Sequence, residues 1–96
     1  MAIRSFANDL VRCFFETGAV SRKVGWFGVA KVVARKLDMV DYAAALQDLL
    51  RPPANRLEAL KSTLKGFHSI RINDQWRVVF RWTPAGPTEV DIVDYH

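Results

Sequence analysis

The stretch Phe67-His68-Ser69-Ile70-Arg71-Ile72-Asn73-Asp74-Gln75-Trp76-Arg77-Val78-Val79-Phe80-Arg81-Trp82-Thr83 decides the fold. On either side of Asn73-Asp74-Gln75 the residues alternate with the two-residue period of a strand that buries one face. The three residues between are turn formers, so the two runs fold back as a hairpin. Its register follows from the apolar set, because a one-residue slip would move every side chain to the other face. A three-residue loop pairs Ile72 with Trp76, Ile70 with Val78 and His68 with Phe80. The second face then sets Arg71 opposite Arg77 and Ser69 opposite Val79, with Arg81 further along. A two-residue loop would set Ile72 against Arg77 and scramble both faces.

Working outward, residues 88–94 read as a strand returning along the hairpin, pairing Phe80 with Val90, Val78 with Ile92 and Arg81 with Glu89. By parity Tyr95 joins the Arg71/Arg77 face. Residues 56–60 read as a fourth strand and residues 3–6 as a short first one. Between them the period is helical. Leu10, Val11, Phe14 and Phe15 share one face of a helix over 8–17, with Gly18 as its stop. Trp26, Val29, Ala30, Val33 and Leu37 repeat along a second helix from about residue 24, with Lys31, Arg35, Lys36 and Asp38 opposite. Asp41 suits the N-cap of a third helix over 42–50, which Pro52-Pro53 would end. The expectation is one α+β domain over 1–96, about three N-terminal helices covering one face of an antiparallel or mixed sheet.

Half of the 96 residues are apolar and 11% aromatic, enough for a core without staples or metal. Lone Cys13, inside the first helix, excludes an internal disulfide and is expected to be a buried thiol. No run approaches the roughly 18 apolar residues of a membrane span, and no secretory leader pattern opens the chain, so a cytoplasmic protein is expected. The spacing of a metal site, a phosphate-binding glycine loop and a Ser-His-Asp order are missing from the sequence, which points to neither metal nor cofactor. Net charge is +4 with a pI near 9.6, which suits a polyanionic partner. The excess is local. Residues 51–81 hold Arg51, Arg56, Lys61, Lys65, Arg71, Arg77 and Arg81 against only Glu58 and Asp74, whereas the last fifteen residues carry Glu89, Asp91 and Asp94 and no Lys or Arg.

Two arginines opposed across a strand pair repel by up to about 1 kcal/mol. Either Asp91 or Glu89 on the neighbouring strand neutralises them, or a phosphate does, for which the planar guanidinium is well formed. Lys61 and Lys65 flank a loop ending at Gly66; alone they would be ordinary solvated lysines, but beside the arginine face they extend a surface that an RNA backbone can follow. Asp94-Tyr95-His96 gathers three ionisable side chains. A tail of three residues is commonly frayed, yet a histidine with a pKa of about 6.5 suits proton transfer, Asp94 can orient it, and Tyr95 can move a proton or stack on a base. Glu58 and Asp94 are a candidate acid/base pair. His68 falls with Ile70 and Ile72 and reads as a core or sheet-edge histidine.

The stretch Arg35 to Met39, Leu49 to Pro53, Asn55-Arg56-Leu57-Glu58-Ala59-Leu60-Lys61, His68 to Arg77 and the closing Val93-Asp94-Tyr95-His96 together resemble the HigB group of toxins, the plasmid maintenance system killer family. The likeness runs from Ile3 to the terminus; its most specific parts are Ser69 to Arg77 and the final Asp-Tyr-His. It implies a RelE-like microbial ribonuclease fold and an endoribonuclease (mRNA interferase), the toxin of a type II toxin–antitoxin system. Such a toxin enters the ribosomal A site and cuts messenger RNA, inhibiting translation and growth. The RNA's own 2′-hydroxyl attacks the adjacent phosphate, without metal or cofactor. By position Arg77, His96, Tyr95, Asp94 and Lys61 match residues that the family uses. Arg71, Lys65, Arg56 and Arg81, part of the basic surface read from the residues themselves, are expected as further RNA contacts. The implied partner is a helix-turn-helix antitoxin of HigA type, through which the complex binds operator DNA.

This chain departs from the family pattern twice. Glu58 stands where some members have an active-site histidine, which redistributes acid/base roles or lowers the rate. Ser62-Thr63-Leu64 replaces the frequent Gly-Asp-Arg, removing one cation that Lys65 partly restores. Two other readings compete: a ParE-like toxin that inhibits gyrase without catalysis, and an RNA-binding module that does not cleave. A gyrase binder has no chemical reason to join a cationic strand face to Asp94-Tyr95-His96.

Overall fold

The computed structural model describes residues 2–95. Helix α1 (Asp9–Thr17) starts where Asn8, in extended conformation, turns its side-chain oxygen back to accept from Leu10 N at 2.8 Å. It ends at Gly18, whose φ of 80° lets its N–H return to Phe14 O. Val11 and Phe14 are buried. Cys13 lies on the other side of the turn and is exposed, which corrects the expected buried thiol.

The second helix begins later than the periodicity suggested. Residues 22–26 form turns and a bend, Phe27–Val29 a 3₁₀ turn, and α2 runs over Ala30–Tyr42. Trp26 is nonetheless buried against Phe14, ring centroids 5.1 Å apart. Gly25 lets the backbone approach the indole of Trp76, because a Cβ there would lie 2.5 Å from the ring. Gly25→Ala is therefore expected to destabilise the protein by about 1–3 kcal/mol, the usual cost of overpacking a filled site. A urea midpoint unchanged from wild type would contradict this close approach.

The expected third α-helix is replaced by a short 3₁₀ turn, Leu46–Leu50. Asp41 does not cap it. It lies within α2, and its carboxylate accepts from Ile3 N at 2.9 Å, tying down the N-terminal segment. Asp48 instead accepts from Ala44 N and Ala45 N. Fully buried Asn55 fastens this region to α2. Its Nδ2 donates to Leu49 O and Arg51 O, and its Oδ1 accepts from Lys36 Nζ at 2.6 Å. Burial, then the nearby Arg35 and Arg71 charges, push the Lys36 pKa down.

The sheet has the order β1-β2-β3-β4 and is antiparallel, formed by β1 (Glu58–Ala59), β2 (Phe67–Arg71), β3 (Trp76–Thr83) and β4 (Gly86–Asp94). The hairpin register is the expected one: His68↔Phe80, Ser69↔Val79, Ile70↔Val78 and Arg71↔Arg77, with Ile72 N donating to Trp76 O. The expected first strand reduces to a parallel bridge between Phe6 and Val90. β1 is shorter than 56–60 because Arg56 is left-handed, with φ 46°, and Lys61 leads into a 3₁₀ turn over Ser62–Leu64.

On the other side of β3, Val78↔Ile92 holds, but a bulge carries the ladder from Val79↔Asp91 to Arg81↔Thr88. The irregularity falls at Phe80 on β3 and at Glu89-Val90 on β4, where Glu89 has φ 53°, so Arg81 pairs with Thr88 in place of the expected Glu89. The core lies between the helices and one sheet face, where Val11, Phe14, Val33, Leu37 and Val40 pack on Ile70, Val78, Phe80, Val90 and Ile92. His68 belongs to this side, stacked on Phe80. The opposite face is left to the arginines. No helix among the described residues is long and apolar enough to cross a membrane.

Candidate active site

On the face away from the helices, β3 presents Arg77 and β1 presents Glu58, which pairs across the sheet with fully buried Ser69. Arg77 Nη1 lies 3.4 Å from both Glu58 Oε1 and Ser69 Oγ, and the Arg77 side chain is only 12% exposed. Its guanidinium stands 4.2 Å above the Tyr95 ring, a cation–π stack. The Tyr95 hydroxyl donates to the same Glu58 oxygen at 2.6 Å. That hydrogen bond, reinforced by the carboxylate's charge, pushes the phenol pKa up against the opposing pull of Arg77. A cation, a carboxylate and a phenol thus share one point.

The hairpin tip holds the end of β4 in place. Asn73 Oδ1 accepts from Gln75 N and Trp76 N, shaping the turn. Gln75 O then accepts from Tyr95 N at 2.6 Å, and Gln75 Nε2 donates to Asp94 Oδ2 at 3.0 Å. Next to this, a cleft of about 530 Å³ is lined by Leu60, Lys61, Leu64, Val79, Val93, Asp94 and Tyr95. Its floor is apolar and its rim carries a lysine, a carboxylate and the tyrosine.

The expected site residues divide accordingly. Arg77, Tyr95 and Glu58 come together, and Lys61 and Asp94 line the adjoining cleft. Glu58 engages Arg77 and Tyr95, and Asp94, the other half of the expected acid/base pair, accepts from Gln75 beside the adjoining cleft. His96 lies outside the described residues. Lys65 is exposed on the loop behind Lys61. Arg81 rests on Phe67, 4.5 Å from the ring, and lies so close to Gly66 that a Cβ there would come within 2.8 Å of its Nη1.

The opposed arginines are neutralised, but not by the residues expected. Arg71 pairs with Asp74 at 2.6 Å and Arg77 with Glu58, while Glu89 accepts from Arg81 Nε at 3.2 Å. The Arg71 hydrogen bond holds the Asp74 carboxyl below its usual range, and the charge of Arg56 adds to it. Asp91 is half-buried, which pushes its pKa up despite a hydrogen bond from Ile92 N. Sequence reasoning missed Ser69 and Gln75 as site residues. Only the place of Ser69 on the arginine face, two residues before Arg71, pointed to it.

Comparison with known proteins follows this geometry. The profile described as "RelE-like toxin of type II toxin-antitoxin system HigB" matches residues 4–96. Toxin HigB-1 of Vibrio cholerae is 46% identical over 54 residues, 56% of this chain, and the match spans 57% of that toxin's length. An uncharacterised protein of Haemophilus influenzae is 36% identical over 77 residues, 80% of this chain and 75% of its own. Among solved structures, the YoeB-YefM complex from Staphylococcus aureus superposes with a TM-score of 0.58 at 22% identity, covering 100% of this chain and 97% of that one. The YoeB/ParE toxin from Agrobacterium tumefaciens gives 0.54 at 18%, covering 100% of both chains. These two establish likeness of fold.

Proposed function

We propose that this chain, which belongs to the HigB-like family of RelE-like toxins from type II toxin–antitoxin systems, is a cytoplasmic, single-domain endoribonuclease that cuts messenger RNA in the ribosomal A site. The observation that carries this reading is Arg77, nearly buried between the Glu58 carboxylate, the Ser69 hydroxyl and the ring of Tyr95, which itself lines the neighbouring cleft. A guanidinium fixed in this way and shielded from water suits the charge that develops on a phosphate during displacement.

In the proposed reaction the ribose 2′-oxygen forms a bond to phosphorus while the bond to the 5′-oxygen breaks, leaving a 2′,3′-cyclic phosphate and a 5′-hydroxyl. Glu58, in the position where related toxins carry histidine, takes the 2′-hydroxyl proton. His96 returns a proton to the 5′-oxygen, and Asp94 sets its ring. Arg77 and Lys61 face the phosphate oxygens, and Tyr95 stacks against a base. Arg71, Arg56, Arg81 and Lys65 hold the backbone on either side. A helix-turn-helix antitoxin of HigA type restrains the toxin and carries the complex to operator DNA.

Expression without a partner is expected to arrest growth, and primer extension on a translated transcript is expected to reveal new 5′ ends within the reading frame. Intact messenger with accumulating gyrase–DNA cleavage complexes would replace this account with a ParE-like one. Retarded but uncut RNA would leave only an RNA-binding module.

A further inference from the structure

Arg71, Arg77 and Arg81 share one sheet face, the first two opposed across β2 and β3 and the third further along β3, and each is matched by a carboxylate of the same chain. Those carboxylates come from unrelated places: Asp74 from the hairpin tip, Glu58 from the edge strand, and Glu89 from the β4 bulge with its left-handed backbone. In every pair the acid lies further out than the base. Side-chain exposures are 100% for Asp74 against 29% for Arg71, 44% for Glu58 against 12% for Arg77, and 53% for Glu89 against 43% for Arg81. The anions therefore stand on the solvent side of the arginines, where a polyanion would approach.

Two of the arginines have contacts besides their carboxylates. The Tyr95 and Phe67 rings lie 4.2 and 4.5 Å from the Arg77 and Arg81 guanidinium groups, and Gly66 abuts the latter. Each ring gives its cation a second anchor, Tyr95 being tied in turn to Glu58. The spacing suits a chain of phosphates. Arg71 and Arg77 are direct cross-strand neighbours, about 5 Å apart at Cβ, and Arg81 lies four residues along β3 from Arg77, about 13 Å at strand rise. The buried Val79 between them offers the bases an apolar floor.

We propose that these arginines form a phosphate track for single-stranded RNA, Arg71 and Arg77 at one end and Arg81 further along, and that Asp74, Glu58 and Glu89 occupy its phosphate positions in the free protein. The proposal rests on the RNA reading above and adds that binding is an exchange, in which each incoming phosphate displaces a carboxylate of the protein. Free RNA gains little from such an exchange, so the unmodified protein binds it weakly. Neutralising an occupant opens its position.

The test measures binding of the full-length chain to a fluorescent 2′-O-methyl oligoribonucleotide, which 2′-hydroxyl attack cannot cleave, by anisotropy across a salt series. Asp74→Asn and Glu89→Gln are each expected to tighten binding about threefold to fivefold, the scale of an exposed ion pair. The control Asp9→Asn, which removes a carboxylate paired with Arg12 on α1, is expected to leave affinity within about twofold, since at moderate salt charges beyond about 10 Å are screened. Arg71→Ala and Arg81→Ala are each expected to lower the slope of log affinity against log salt by about 0.7. Thermal melts show which variants are folded. Equal tightening by Asp9→Asn would reduce the effect to net charge and overturn the track, as would salt-dependent wild-type binding that neither neutralised carboxylate improves. No salt-dependent binding by any variant would instead overturn the RNA reading itself.

Discussion

Arg77→Ala is expected to lower messenger cleavage by about 10²–10³-fold, the usual cost of removing one fixed donor from a developing oxyanion, while the protein remains folded. Both halves follow from its surroundings. The guanidinium has Glu58 and Ser69 at 3.4 Å, long contacts that contribute little, and a stack on Tyr95 whose scale for a nearly buried cation is about 2 kcal/mol. That loss is small against the roughly 5–15 kcal/mol by which a domain is stable, and relief of the residual repulsion with Arg71 offsets part of it. The core on the other face is untouched. Thermal melting beside single-turnover cleavage decides the matter: a variant that unfolds would make Arg77 a structural cation and remove the central group of the proposed site.

Deleting His96 is expected to lower cleavage by about 10²–10⁴-fold, the range for loss of a positioned proton donor. The fold should not notice. The last residues of β4 are held from the hairpin tip, through Tyr95 N on Gln75 O and Asp94 on Gln75 Nε2, and neither bond involves residue 96. Truncation also places the terminal carboxylate on Tyr95 itself, so His96→Gln is the companion variant that keeps the chain length. Cleavage on programmed ribosomes at the wild-type rate in both variants would exclude His96 as acid, base or positioning group and move proton transfer to Tyr95 and Glu58.

Much of this arrangement was legible because a strand has a period of two and its apolar side chains must all fall on one side. That rule sufficed for the hairpin register, and with it for Arg71 facing Arg77 and for Tyr95 on the same face. It failed at the β4 bulge, since a left-handed Glu89 breaks the alternation without a glycine to signal it. The third helix failed differently. Asp41 looks like a cap in sequence, but its carboxylate serves the backbone of Ile3, a partner distant in the chain. The same blindness to distant partners hid the pairing of Glu58 with Arg77, whereas Asp74, only three residues from Arg71, read simply as a turn residue while Asp91 and Glu89 looked nearer by parity. Gln75 read only as a turn residue, because its grip on Asp94 and Tyr95 depends on where β4 ends.

The proposed site cuts RNA through the RNA's own 2′-hydroxyl, and the end chemistry of messenger cut by the purified chain on programmed ribosomes reads that step out. A 2′,3′-cyclic phosphate is expected on the upstream fragment and a 5′-hydroxyl on the downstream one, with no cut where the A-site nucleotide carries a 2′-O-methyl group. A 3′-hydroxyl paired with a 5′-phosphate, or cleavage that survives the 2′-O-methyl block, would contradict it.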